Sequence, residues 1–222
     1  MESLDFTPLV LTFKLAALTT SILFVLALPL AHWLARTSSL LKPSLEAVIA
    51  LPIVLPPTVL GFYLLLMFGR ASELGIWLQD VAGMRLAFTF EGVVIASVLY
   101  SLPFMVQPLQ TGLEAIERDL IEAARVMGAS RWQVWQRVVM PLLRRSVLTG
   151  CVLTFAHTVG EFGVIMMIGG NIAGETRVAS IALYDEVQAL NYATAHQYAL
   201  VLLALSFVML VVVYTTQRKS VV

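Results

Sequence analysis

The sequence holds a single cysteine, Cys151, set in an apolar stretch. An internal disulfide is excluded, and so is a metal site built from several thiolates. Histidine is scarce too. His32, His157 and His196 are the only three, and none stands in the H-E-x-x-H spacing of a helical zinc site. An intramembrane hydrolase needs a serine–histidine pair, an aspartate pair or a histidine-rich metal motif at membrane depth, and this sequence places none of them convincingly there. Charge is sparse at 13% of residues, and the two signs cancel to a net charge of zero, which leaves no field to attract nucleic acid. There is no tandem repeat and no low-complexity tract. One membrane domain, residues 1–222, accounts for the whole chain.

What the chain has in abundance is apolar sequence, 59% of its 222 residues. That is too apolar for a soluble domain of this size and fits an integral membrane protein. The pattern predicts an all-α fold with five membrane-spanning helices, each near the roughly twenty apolar residues that cross a bilayer core. The first span runs over 9–34, with Lys14 near its start and Pro29 and His32 near its end. It is too long for a signal-peptide core and lacks preceding basic residues, so it reads as a retained span. Lys14 snorkels to the interface or pairs across helices, and His32 snorkels or caps a carbonyl.

The second span, 46–69, contains LPIVLPPTVLG. Pro52, Pro56, Pro57 and Gly61 cannot all sit in a straight helix, because each proline removes a donor and crowds the preceding turn. In lipid the freed carbonyls need partners, so a broken backbone should face protein or a water-lined path. A merely kinked span is the plainer alternative. Pro52, Pro56, Pro57, Thr58 and Gly61, with Gly160 and Gly163 of the fourth span, are the candidate pathway-lining residues. The third span covers 88–110, the fourth 146–168 and the fifth 196–214. Polar connections at 70–87 and 169–195 each have room for a short interfacial helix.

Residues 114–141 form the long polar interruption, EAIERDLIEAARVMGASRWQVWQRVVMP. The loop, taken as 111–145, reads as two short helices joined at Gly128, a residue able to take the left-handed turn that closes a helix. Thr111 with Glu114, and Ser130 with Gln133, have capping-box spacing. Ile116, Leu120, Ala123 and Met127 give the first helix an apolar stripe. Trp132, Trp135 and Val139 give the second one, and Pro141 limits its length. Amphipathicity alone fits a membrane-surface hairpin.

Basic residues set the orientation. Arg36, Lys42, the arginines from Arg118 to Arg145, Arg218 and Lys219 gather on one side. Lys14, Arg70, Arg85 and Arg177 are fewer on the other. The N-terminus is therefore expected outside, and the 111–145 loop and the C-terminus in the cytoplasm. Two further features bear on chemistry. GGNIAGET, 169–176, has the glycine spacing of a phosphate loop, but Glu175 stands where the phosphate-binding lysine is needed and no strand precedes it. The chain thus has no ATPase or catalytic site of its own. Glu161 is the one carboxylate well inside a span. It can pair with His157 one helical turn away, pair with Lys14 across helices, or touch a substrate path. A structural His157–Glu161 pair is the favoured reading.

Glu122-Ala123-Ala124, then Gly128-Ala129 and the apolar residues leading to Pro141, resemble the EAA loop of ABC-importer permeases. The resemblance implies a type I permease fold and a coupling helix, carried by Glu122, Ala123, Ala124, Gly128, Ala129, Ser130 and Arg131, that docks on a cytoplasmic ATPase. VGEFG (159–163), GGNIAGETR (169–177), LPIVLPPTVLGFYLL and SLPFMVQPL are similar to the permeases of oxyanion importers, those for molybdate above all. What this implies is a homodimer in the bacterial inner membrane, two ATPase subunits below it, and a binding protein outside. No cofactor or metal is held by this chain, and ATP and Mg2+ sit on the partner ATPase. Tungstate is nearly isosteric with molybdate. An importer of sulfate, thiosulfate or another solute, and a membrane anchor or receptor for a soluble partner, are the alternative readings.

Overall fold

The computed structural model describes residues 4–218, so Lys219 of the orientation argument falls outside them. Among the described residues all regular structure is helical. Helix α1, Thr7–Arg36, is a continuous span with Pro29 inside it. Its buried residues Thr12, Ala16, Thr19, Leu23, Ala27, Ala31 and Leu34 recur at helical spacing along one side. Helices α2, Lys42–Val54, and α3, Pro57–Phe68, take the place of one straight second span and meet at 108°. The break falls at Leu55 and Pro56, as the run of prolines requires. Helix α4, Glu73–Ala82, follows, its first turn capped by the Ser72 hydroxyl accepting from the Gly75 N–H. Helix α5, Phe90–Glu114, is the most buried span.

The polar loop contains α6, Arg118–Val126, and α7, Arg131–Val134. One π turn, Trp135–Val139, then leads directly into α8, Met140–Val159. Helix α9, Gly163–Gly169, the short α10, Ala179–Gln188, and the last span α11, Tyr192–Arg218, complete the chain. Among the described residues four helical runs are long and apolar enough to cross a membrane, and the bent α2–α3 pair counts as a fifth span if its two helices cross together.

Four sequence expectations are corrected. Thr111 and Glu114 do not open a loop helix. They belong to the last turn of α5, which runs on because Leu109 and Leu113 stay buried, and α6 starts only at Arg118 with Glu117 at its N-cap. The apolar stripe of α6 is also turned. Ile116 and Ala124 face inward, while Leu120, Ala123 and Met127 are exposed. Pro141 does not end the second loop helix. It sits in the first turn of α8, and the preceding π turn takes up the backbone mismatch. Finally, the fourth span is not one helix from 146 to 168. It stops at Val159 and restarts at Gly163.

Helices in lipid gain little from burying apolar surface against each other, so close backbone approach must carry the packing. Alanines line the buried side of α1, which lies along α5. A Cβ at Gly61 of α3 would stand 2.7 Å from the Met167 Cβ. One buried cluster runs from Leu23, Ala27 and Leu34 of α1, through Met105, Leu109 and Leu113 of α5, to Ala124, Val134 and Val139 in the loop. A second joins Leu64, Val93, Val164, Ile165 and Ile181 at the other end. Helix α10 is tied to α1 where the Ala179 N–H donates to Thr12 Oγ1 at 2.8 Å.

Candidate functional site

Three features of the fold bear on function, and the loop is the first. Met127 N–H donates to the Ala123 carbonyl, and Gly128 takes a left-handed turn at φ 84°. Ala129 N–H then returns to the Ala124 carbonyl at 3.1 Å. Ser130 Oγ accepts from the Gln133 N–H, while Gln133 Oε1 accepts from the Ser130 N–H, a complete capping box. Ala124 is buried and Ala129 half-buried, whereas Glu122, Ala123, Ser130 and Arg131 face out. The tip is apolar and open: Val126 is 88%, Met127 82% and Trp132 64% exposed. Exposed apolar patches of this kind are typical of interaction sites.

The second feature is the meeting of the two helix breaks. A Cβ at Gly163, the first residue of α9, would lie 3.1 Å from Pro57 Cβ and 3.2 Å from Thr58 Cγ2. Gly61 and Gly163 are buried in this α3–α9 contact, and Pro52 lies within α2. Pro56, Thr58 and Gly160 are exposed beside it. Interrupted backbone from two spans is thereby brought together, the arrangement tolerated at membrane depth only against protein or water.

Directly behind the second break lies a buried polar cluster. Glu161 is 3% exposed. Its carboxylate accepts from Ser97 Oγ at 2.5 Å and Ser101 Oγ at 2.8 Å, and His157 Nδ1 stands 3.4 Å from it. Ser101 Oγ also lies 2.9 Å from His157 Nδ1 and 3.1 Å from Thr158 Oγ1. The His157 ring stacks on Phe104 at 4.0 Å and leans on Tyr100 at 4.7 Å. Lys14 is not in the cluster: its ammonium lies 4.4 Å over the Phe90 ring, a cation–π contact. The two serines were missed by sequence reading. They are one turn apart on α5, and only the three-dimensional crossing of α5 with α8 reveals them.

A cavity of about 430 Å3 between α5 and α8, walled in part by Pro103, Phe104, Pro108 and Leu153, was also unforeseen. Gln107 and Thr111 of α5 face Arg145, Ser146 and Thr149 of α8 across it. All five can donate hydrogen bonds and no carboxylate enters the wall. In sequence these residues look like scattered polar positions in two spans; their shared face appears only when the helices are paired. The phosphate-loop look-alike GGNIAGET forms a tight turn after α9, with Gly170, Asn171 and Gly174 at positive φ, and no strand precedes it. Among the described residues no group of His, Cys, Asp and Glu is placed to hold a metal.

Residues 15–220 match the family of binding-protein-dependent transport system inner membrane components. The chain belongs to this family. It is 49% identical over 214 residues to the molybdenum transport system permease protein ModB of Azotobacter vinelandii, covering 96% of this chain and 95% of that one. A putative molybdenum transport system permease protein of Bacillus subtilis, YvgM, is 38% identical, covering 97% and 94%. The solved bacterial ABC transporter involved in the import of alginate superimposes with a TM-score of 0.76 at 18% identity, covering 98% of this chain and 80% of its own. The fold is that of a type I ABC-importer permease, and the chain is a membrane transport subunit.

Proposed function

We propose that this chain is the membrane-spanning permease subunit of an ATP-driven importer for molybdate, with tungstate as a second cargo. The observation that carries the reading is end-to-end likeness to a molybdenum permease at 49% identity. Local geometry supports it. An importer needs a surface for its energy source, a route, and something that moves between them. The exposed loop tip offers the surface, with Glu122, Ala123, Ala124, Gly128, Ala129, Ser130 and Arg131 as the coupling residues. The paired helix breaks and the α5–α8 cavity, with hydrogen-bond donors set in a partly apolar wall, offer a route for an oxyanion. On this route Pro56, Thr58 and Gly160 meet the path, while Pro52, Pro57, Gly61 and Gly163 shape the backbone behind it.

The working unit is a homodimer of single-domain permeases in the bacterial inner membrane. A cytoplasmic ATPase dimer holds ATP and Mg2+, and an extracytoplasmic protein delivers the anion. This chain contributes no bond-making chemistry and holds no cofactor. Its N-terminus lies outside and its C-terminus in the cytoplasm, in keeping with the basic residues at the loop side. ATPase closure pushes the loop and tilts the spans from inward-open to outward-open, and hydrolysis resets them. His157 and Glu161, with Ser97 and Ser101, brace the second break instead of meeting cargo.

Reconstitution with the cognate ATPase and binding protein tests the reading. Radiolabelled molybdate should be taken up only with ATP. Unlabelled tungstate should compete at concentrations near those of molybdate, and sulfate should compete poorly. Sulfate competition equal to that of molybdate would reassign the cargo. ATPase capture without any flux would leave an anchor.

A further inference from the structure

A cavity of about 720 Å3 lies behind the coupling tip, between the last turn of α1 and helices α6 and α7. Four arginines line it: Arg36 from α1, Arg118 and Arg125 from α6, and Arg131 from the start of α7. Glu122 is the one carboxylate in the wall. Nearby, Lys42 is matched, 3.0 Å from Glu114 and 3.7 Å from Glu46. Among the described residues no ion pair holds any of the four arginines. Converging cations with a single counter-charge repel each other, and a bound anion relieves that repulsion.

The other part of the wall is apolar. Ile121, Val134 and Val139 line it beside the indoles of Trp132 and Trp135, the second of which His32 meets edge-on at 5.2 Å. Arg36 is the last residue of α1, a helix long and apolar enough to cross a membrane, so the cavity lies at the end of that span. Basic pockets at that level, floored by apolar and indole groups, are suited to lipid headgroups. A guanidinium fork matches phosphate oxygens in pairs.

We propose that this cavity binds a phosphate-type oxyanion, supplied by the headgroup of an anionic phospholipid whose glycerol and acyl portion lies on the Ile121–Val139 wall. The bound lipid holds the loop at a fixed height against the membrane surface. The inference is independent of which solute is carried.

The test uses the full-length chain in micelles, with tryptophan quenching by brominated phosphatidylglycerol and brominated phosphatidylcholine, read against a Trp132→Phe/Trp135→Phe control because both indoles line the cavity. Phosphatidylglycerol should quench at much lower mole fraction. That preference should fall roughly thirtyfold in the Arg36→Gln/Arg118→Gln pair, from the surface attraction of two lost cations. The Arg36→Lys/Arg118→Lys pair should keep most of it, which separates loss of charge from loss of fold. Equal quenching by both lipids, or an unchanged preference in the Gln pair, overturns the site. Inorganic phosphate that displaces phosphatidylglycerol and also binds without it overturns the lipid source and leaves a soluble oxyanion in the same arginine cluster. Loss of the ATPase subunit from the Gln pair, with lipid preference intact, makes the arginines protein contacts and ends the proposal.

Discussion

Single residues decide two properties of this chain. Glu161 is buried among hydroxyls, so its partners are local and removable. Glu161→Gln replaces one accepting oxygen with a donor aimed at a serine that already donates, and Ser97→Ala leaves one lone-pair site unmet. Each should cost about 1–3 kcal/mol of stability. A lowered melting temperature in detergent, with an unchanged order of molybdate, tungstate and sulfate competition, is the expected result. A switch in anion preference at full stability would place Glu161 on the path. Gly128 acts through its backbone. Its φ of 84° is strained for any side chain with a Cβ, although no atom lies within 4 Å of where that carbon would be. Gly128→Val should abolish ATP-driven uptake while membrane insertion, measured by fractionation, stays normal. Undiminished uptake would mean that the turn is not needed for coupling.

At the scale of elements, the breaks matter more than the spans. Gly61→Leu forces a side chain into the α3–α9 contact, where overpacking costs about 1–3 kcal/mol. The variant should reach the membrane and retain ATPase binding by co-purification, yet lose most transport. Wild-type flux would show that the two breaks need not touch. The α2–α3 break was legible in the sequence because proline acts locally: Pro52, Pro56 and Pro57 announce it whatever surrounds them. The turn at Gly128 and the Ser130–Gln133 cap were legible for the same reason. The stop at Gly160 was not, since VGEFG carries no proline and its interruption depends on α3 pressing against Gly163. Nor was the facing of α6. Its stripe was assigned by hydrophobic spacing, but Leu120 and Met127 point outward while Ile121 and Ala124 pack inward. On the proposed reading the outward residues serve a docking partner, which relaxes the rule that apolar means inward. Thr111 and Glu114 misled because a capping-box spacing inside a longer helix looks the same as one at its start.

For the molecule as a whole, the first question is which face of the membrane the loop occupies. With Cys151 replaced by alanine, a cysteine at Ser130 should resist a membrane-impermeant thiol reagent in intact cells. It should react in inverted vesicles and crosslink to the ATPase subunit. Labelling in intact cells would invert the proposed topology. The buried cluster that runs from Leu23 to Val139 then gains a meaning beyond cohesion. Its apolar contacts run from the bundle to the loop beside the arginine-lined cavity, and through them bundle and loop move as one block. Thermodynamic linkage works in both directions along such a block. In the proposed assembly, a cargo-loaded binding protein that favours one posture of the outer mouth must alter nucleotide affinity underneath. An idle transporter, with nothing delivered above, should therefore waste little fuel.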